Sequence, residues 1–141
     1  MFSIPLHLLV VHFPIALTII AVISDVWAYR TNRRELHATG YRLTLWAAAG
    51  ALLAVGTGLQ LMGGVGFDNA RTTAHAGAGI VAGICLIALA IIRYSAHTAG
   101  RDSREQYPMT WLVLEVAAGV MVAAAAISGH RLVLLGGGPG L

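Results

Sequence analysis

The chain has 141 residues, of which 57% are hydrophobic and only 11% are charged, with a formal net charge of +3. Because a soluble domain usually carries about 25% charged residues, this composition excludes an ordinary water-soluble protein and favours a small membrane protein. All nine basic residues are arginines, grouped between apolar runs without a basic, aromatic-rich stripe, which excludes a nucleic-acid-binding surface.

Four apolar segments are each long enough to cross a membrane as a helix, for which roughly 20 residues are needed. They cover residues 5–29, 43–63, 74–94 and 109–130. The N-terminus has neither a basic leading region nor a small-residue cleavage site, so we interpret the first segment as a retained span in which Pro14 predicts a local kink. The pattern predicts an all-α integral membrane protein, a single transmembrane domain over residues 1–141 that folds as an up-down-up-down four-helix bundle. Residue identities show no internal repeat.

The arginines are distributed unevenly among the connections, and this predicts the orientation. Seven lie between spans one and two or between spans three and four: Arg30, Arg33, Arg34, Arg42, Arg93, Arg101 and Arg104. Arg71 and Arg131 lie on the opposite side. Because short arginine-rich loops stay in the cytoplasm, we expect both termini on the outer, periplasmic side of a bacterial inner membrane.

Most of the histidines fall at the predicted outer side. These are His7 and His12 in span one, His75 at the start of span three and His130 at the end of span four. The other two, His37 and His97, lie in the inner loops, where we expect them to be solvated. On a helix, two residues five apart point about 140° away from each other, so His7 and His12 cannot both face one small site unless the chain bends. We expect His12, the deeper of the two, to face the bundle interior.

This distribution predicts a cofactor or metal site at the outer side. Neutral imidazole is the commonest metal ligand, and two imidazoles from different helices can supply the axial ligands of a haem, or ligands for copper or zinc. We predict His12 and His75 as the metal ligands, with His7 and His130 beside them in the cofactor site. Arg71 and Arg131 are predicted to neutralise haem propionates.

Other chemistry is sparse. No CxxC, HExxH or CxxCH motif is present, so zinc fingers, zincin proteases and covalent haem attachment are unsupported, and no catalytic residue is predicted. Asp25 and Glu115 fall in the predicted inner half of the bundle. We expect them to pair with Arg30 or Arg42 or to hydrogen-bond across helices, and a proton relay is an alternative interpretation.

The stretch HLLVVHFPIAL, from His7 to Leu17, resembles the start of the domain of unknown function 2231 family, small bacterial membrane proteins of four spans. The TGL at Thr57–Leu59, the AHA at Ala74–Ala76 and the stretch Gly129–Val133 are similar to later landmarks of that family. The chain departs from the pattern in three places. Leu8 replaces a frequent proline, the residues around Gln60 lack an acidic residue, and Gly136 stands where a histidine is common.

The resemblance implies a bacterial inner-membrane location, and its association with redox domains favours electron transfer over a stand-alone enzyme. The first hypothesis is a b-type haem protein that carries electrons between a donor such as a quinol and a periplasmic carrier. One alternative is a cofactor-free accessory subunit that stabilises a larger redox or photosynthetic membrane complex, with its glycine-rich helix faces forming a homo- or hetero-oligomeric interface. The other alternative is a non-haem copper or zinc site built from the same histidines.

Overall fold

Four long helices make up the described part of the chain. The computed structural model describes residues 3–65, 70–101 and 109–134, and the structural statements below concern those residues. The helices are α1 (Ser3–Thr31), α2 (Arg34–Val65), α3 (Ala70–Thr98) and α4 (Met109–Leu134). Each contains a segment long and apolar enough to cross a membrane, which confirms the predicted all-α fold with four transmembrane helices.

The helices extend beyond the apolar segments from which they were predicted. The largest difference is in α2, which begins at Arg34 and not near residue 43. Hydropathy detects only the part of a helix that lies in lipid, whereas polar first turns are helical too. The first turn of α2 contains Glu35, whose negative charge is favourable beside the positive end of the helix dipole.

Two backbone positions with positive φ terminate helices. Asn32 has φ 54° directly after α1, a conformation that asparagine tolerates better than most residues, and the chain turns at once into α2. Gly100 has φ 66° after α3, and its amide donates to the His97 carbonyl at 3.0 Å. This is the usual role of glycine just beyond a helix.

The helices pack in a ring in chain order. Each contacts its sequence neighbours, α4 closes onto α1, and within the described residues the backbones of the diagonal pairs, α1 with α3 and α2 with α4, stay apart. α1 continues through Pro14, and Gly50 of α2 lies so close that an added Cβ would be 3.2 Å from the Pro14 ring. Small residues therefore allow the helices to approach closely, as in many membrane bundles.

The polarity of the bundle is suited to lipid. Large apolar side chains are exposed on all four helices, among them Ile23, Leu53, Ile84 and Val120. The central cluster is made mostly of alanine and leucine, including Ala48, Ala82, Leu86, Leu89 and Ala118. A contiguous apolar exterior is unfavourable in water and favourable in a bilayer.

Candidate functional site

Two groups of polar side chains occupy opposite ends of the bundle interior. We call the first the histidine end, where α1 and α3 begin; it contains His7, Thr57, His75 and Ser128. We call the second the arginine end, where α1 and α3 finish; it contains Asp25, Thr44, Arg93 and Glu115. Every helix contributes one residue to each end.

His7 is held at the histidine end by α2. Its Nδ1 lies 2.9 Å from the Thr57 hydroxyl oxygen. The Thr57 hydroxyl is also 3.0 Å from the carbonyls of Leu53 and Ala54, and when it donates to one of them its oxygen accepts a hydrogen bond from His7. Gly58 leaves room for the ring, because an added Cβ there would be 3.2 Å from Cε1 of His7.

His75 is held in the same way by α4. Its Nδ1 lies 3.0 Å from the hydroxyl oxygen of Ser128, which donates to the Ala125 carbonyl at 2.7 Å. Gly129 lies against this imidazole, and an added Cβ would be only 2.7 Å from its Cε1.

These contacts suit one tautomer of both histidines. When each hydroxyl gives its proton to a backbone carbonyl, it accepts from the neighbouring ring, and the hydrogen is then on Nδ1. In that tautomer Nε2 of His7 and of His75 carries the lone pair that a metal ligand needs. The arrangement is that of two imidazoles fixed from behind, with a hydroxyl as outer partner to each.

His12 does not belong to this pair. Its side chain is exposed, and its Nδ1 bonds to the Leu8 carbonyl of its own helix. The expectation that His12 faces the bundle interior is therefore wrong. The inward face of α1 repeats every seven residues through Pro14, Ala21 and Ala28, all buried, and His7 is on that face. α1 is uninterrupted at Pro14.

The remaining predicted cofactor residues are His130, Arg71 and Arg131. All three are exposed near the histidine end, at the first turn of α3 or the last turns of α4. Among the described residues, no group of three or more His, Cys, Asp or Glu side chains is placed to hold a metal ion. The roles predicted for these three residues stay predictions.

A buried ionic network fills the arginine end. Arg93 of α3 binds Asp25 of α1 through both terminal nitrogens, with Nη2 3.4 Å from Oδ1 and Nη1 in close contact with Oδ2. Nη1 also lies 2.9 Å from Oε2 of Glu115, and Nη2 donates to the His37 carbonyl at 3.3 Å. The side chains of Asp25, Arg93 and Glu115 are each at most 2% exposed.

This network confirms one expectation and corrects three others. Asp25 and Glu115 hydrogen-bond across helices, as expected. The arginine that they pair with is Arg93, not Arg30 or Arg42, which are exposed. Arg93 itself lies in the bundle core and not in an inner connection. His37 is half-buried instead of solvated, with Nδ1 3.5 Å from Oδ1 of Asp25. From sequence position alone, Arg93 was expected at the end of the third span. In the structure α3 continues for another turn beyond Arg93, and the residue lies within the bundle.

Gly40 makes the network possible by leaving space for Asp25. A Cβ at Gly40 would lie 2.6 Å from the Asp25 carboxyl carbon. Beside it, the ring of Tyr41 stacks on that of His97, with centroids 4.6 Å apart. Close helix approach thus puts the carboxylate of α1 directly against the backbone of α2.

The two ends reveal an internal repeat that the residue identities hide. A shift of 68 residues relates α1 to α3, taking His7 to His75 and Asp25 to Arg93. A shift of 71 residues relates α2 to α4, taking Thr44 to Glu115 and Gly58 to Gly129. The two hydroxyls that hold the histidines, Thr57 and Ser128, obey the same shift.

Burial follows the repeat as well. The shift of 68 residues matches the buried positions Pro14, Thr18, Ala21, Asp25 and Ala28 with the buried positions Ala82, Leu86, Leu89, Arg93 and Ala96. The shift of 71 residues matches Thr44, Ala47 and Ala51 with Glu115, Ala118 and Val122. Corresponding positions of the hairpins α1–α2 and α3–α4 are therefore buried alike.

A protein-family model described as "Predicted membrane protein (DUF2231)" matches residues 3–137. This match covers nearly the whole chain and confirms the resemblance seen in the HLLVVHFPIAL stretch. No curated protein and no solved structure gives a significant match.

Proposed function

The chain belongs to the DUF2231 family of predicted membrane proteins, and we propose that it binds one b-type haem between His7 and His75 at the histidine end and transfers electrons there. One observation carries the proposal. Two imidazoles occupy equivalent positions of the repeat, and each has its Nδ1 within hydrogen-bond distance of a hydroxyl, which leaves Nε2 as the ring nitrogen for a metal. The proposal transfers the ligand role predicted for His12 to His7 and keeps it for His75.

The donor set suits haem better than a bare metal ion. A porphyrin supplies four nitrogens, so two protein ligands complete six coordination. Zinc sites in proteins use three or four protein ligands, and the described residues form no such group. Bound between two imidazoles, a haem supplies reversible one-electron chemistry without an open coordination position.

Small residues flank the pair, which supports the binding of a flat group between helices. Gly58 lies against the His7 ring and Gly129 lies against the His75 ring. Thr57 and Ser128 would fix the ring planes of the two ligands, since outer partners of this kind orient a histidine and set its tautomer. These are the tasks that the chain itself performs in the proposed site.

The exposed residues at the same end complete the proposal. Arg71 and Arg131 would pair with propionates at the membrane surface, and His130 would lie beside them. A site close to one surface suits exchange of electrons between a membrane donor such as a quinol and a water-soluble carrier on that side. The arginine bias of the connections supports a periplasmic location for the histidine end.

The visible spectrum of the purified protein tests the proposal. Protein from haem-sufficient cells should show, when reduced, the narrow α and β bands of a low-spin haem, because two imidazoles give a strong axial field. His7→Ala and His75→Ala should each lose the haem or yield a five-coordinate form that binds carbon monoxide. His12→Ala on the same helix is the matched control and should leave the spectrum unchanged. Loss of the bands in His12→Ala, with His7→Ala unaffected, would reject the revised ligand pair.

A cofactor-free accessory subunit is the competing proposal, and open glycines favour it. Nothing lies within 4 Å of a Cβ built at Gly56, Gly63, Gly77 or Gly79, so a helix of another membrane protein could approach these positions closely. A colourless, well-folded protein would support this function. A colourless protein with stoichiometric copper or zinc would support the bare-metal alternative instead.

Thiol labelling tests the proposed orientation separately. Ala38 and Ala70 are both exposed, near the arginine end and the histidine end respectively. In a Cys85-free variant of intact cells, an impermeant reagent should label Ala70→Cys and spare Ala38→Cys. The reverse pattern would place the histidine end in the cytoplasm.

A further inference from the structure

We propose that the arginine end is a proton-binding site, in which Glu115 holds one exchangeable proton taken from the aqueous phase beside His37. The inference does not depend on the haem. Its starting point is the charge of the network: Asp25 and Glu115 carry two potential negative charges against one guanidinium, that of Arg93. Any further partner of Arg93 must be an acceptor, so it cannot supply positive charge to the site.

An uncompensated charge inside a bilayer is expensive, and a site left with excess charge takes up or releases a proton instead. Among the described residues, the ionisable side chains at this site come from all four helices. They are Asp25 on α1, His37 with the neighbouring Tyr41 on α2, Arg93 on α3 and Glu115 on α4. One proton added to them makes the network of Asp25, Arg93 and Glu115 neutral.

The contacts indicate which carboxyl group holds the proton. Asp25 faces both terminal nitrogens of Arg93, the arrangement that best stabilises an ionised carboxylate. Glu115 receives only Nη1, on Oε2, while its Oε1 lies 2.9 Å from the Thr44 hydroxyl oxygen. Glu115 is therefore the weaker partner of the guanidinium and the better place for a proton.

Thr44 accommodates both states of Glu115. Its hydroxyl carries one proton but lies near two acceptors, the Gly40 carbonyl at 2.8 Å and Oε1 of Glu115 at 2.9 Å. When Glu115 is ionised, Thr44 can donate to Oε1. When Oε1 is protonated, Glu115 donates to Thr44 and Thr44 donates to Gly40, so that both contacts are hydrogen bonds.

His37 connects the network to water. Its side chain is 18% exposed, and its Nδ1 is 3.5 Å from Oδ1 of Asp25, whereas the side chain of Asp25 is fully buried. A proton from the aqueous phase at the arginine end can thus reach the edge of the network. An O–H bond forms at Oε1 of Glu115, and the same proton returns to water when that bond breaks.

Infrared spectroscopy of the full-length protein, in a detergent without ester groups, tests this inference. At pH 7 the wild type should show the carbonyl-stretch band of one protonated carboxyl group, which shifts on exchange into D₂O. Glu115→Gln should lack the band and keep the fold, because glutamine resembles the protonated acid. Asp25→Asn should also lack it, because Glu115 then ionises as the remaining counter-charge of Arg93.

Glu35→Gln is the matched control, since Glu35 is an exposed carboxyl group on the same side of the bundle and should not contribute to the band. If Glu115→Gln does not fold, the wild-type band and its loss in Asp25→Asn still decide the question. A wild type without the band overturns the inference. A band that survives in Glu115→Gln overturns the assignment to Glu115.

Discussion

The histidine end and the arginine end are both made of residue pairs that the repeat relates, but the pairs are of opposite kinds. At the histidine end the equivalent residues are alike: two histidines, two hydroxyls and two glycines. At the arginine end they are complementary, because Asp25 corresponds to Arg93 and Thr44 to Glu115.

The difference has a physical reason. Neutral imidazoles do not repel each other, so histidine can occupy both equivalent positions. Charged groups in a low-dielectric interior cannot be duplicated in this way, since two like charges at that depth would be strongly unfavourable. A repeat can therefore keep identical residues where its polar groups are neutral, but its residues must differ where it buries charge.

Removal of Arg93 from the arginine end should cause the largest loss of stability. Arg93→Met leaves two buried carboxyl groups without a cation, and loss of one partner of a buried pair costs about 3–5 kcal/mol. The free energy of unfolding in detergent should fall by that order. Arg30→Met changes an exposed arginine of the same end and should alter it by less than about 0.5 kcal/mol. Equal effects of the two variants would contradict the central role of Arg93.

Exchange of the charges of Asp25 and Arg93 should have an intermediate effect on stability. Arg93→Asp alone places three carboxyl groups together, whereas Asp25→Arg combined with Arg93→Asp restores the original composition at swapped positions. Because α2 and α4 each contact both α1 and α3, Thr44 and Glu115 remain next to either arrangement. The double variant should recover at least half of the stability that Arg93→Asp loses, as measured by a double-mutant cycle. If the stability losses of the two single variants simply add in the double variant, positions 25 and 93 are not equivalent.

Alanine at the glycines of the histidine end should have the smallest effect on stability and sharpen the proposed cofactor role. Gly129→Ala brings a Cβ to 2.7 Å from the His75 ring, Gly58→Ala brings one to 3.2 Å from the His7 ring, and Gly77→Ala meets nothing within 4 Å. The loss of haem should be largest in Gly129→Ala, smaller in Gly58→Ala and smallest in Gly77→Ala. The free energy of unfolding should change by no more than about 1 kcal/mol, because alanine favours helix. Equal haem retention in all three variants would show that the rings are not held by these contacts.

Much of the fold could be predicted from hydropathy, because the energetics of a bilayer leave few alternatives to long helices. The number of spans and their approximate positions were confirmed by the structure. The helix ends were not predictable from hydropathy, since the polar turns at Arg34 and beyond Arg93 are helical outside the apolar segments. The histidines were recognised as the unusual residues of the spans, but the inward one was chosen wrongly.

The choice between His7 and His12 depended on the rotation of α1 about its axis. Composition cannot fix that rotation in a helix that is apolar on nearly every side. It is set by the close contact of Pro14 with Gly50 and by the burial of Asp25 against Gly40, both of which involve a second helix. The same contacts decide that Arg93 is internal.

The sequence by itself determined the class of the protein, the four spans and the set of candidate ligands, because transfer of apolar residues into lipid and the cost of burying polar ones act residue by residue. The tertiary structure decided which candidates meet. His7 and His75, 68 residues apart, lie at the same end of the bundle, and Asp25, Arg93 and Glu115 form one network, only because the helices approach at glycines and rotate to match. The repeat was not recognised in the sequence because it consists of matching positions and matching burial. The residues themselves differ where opposite charges are required.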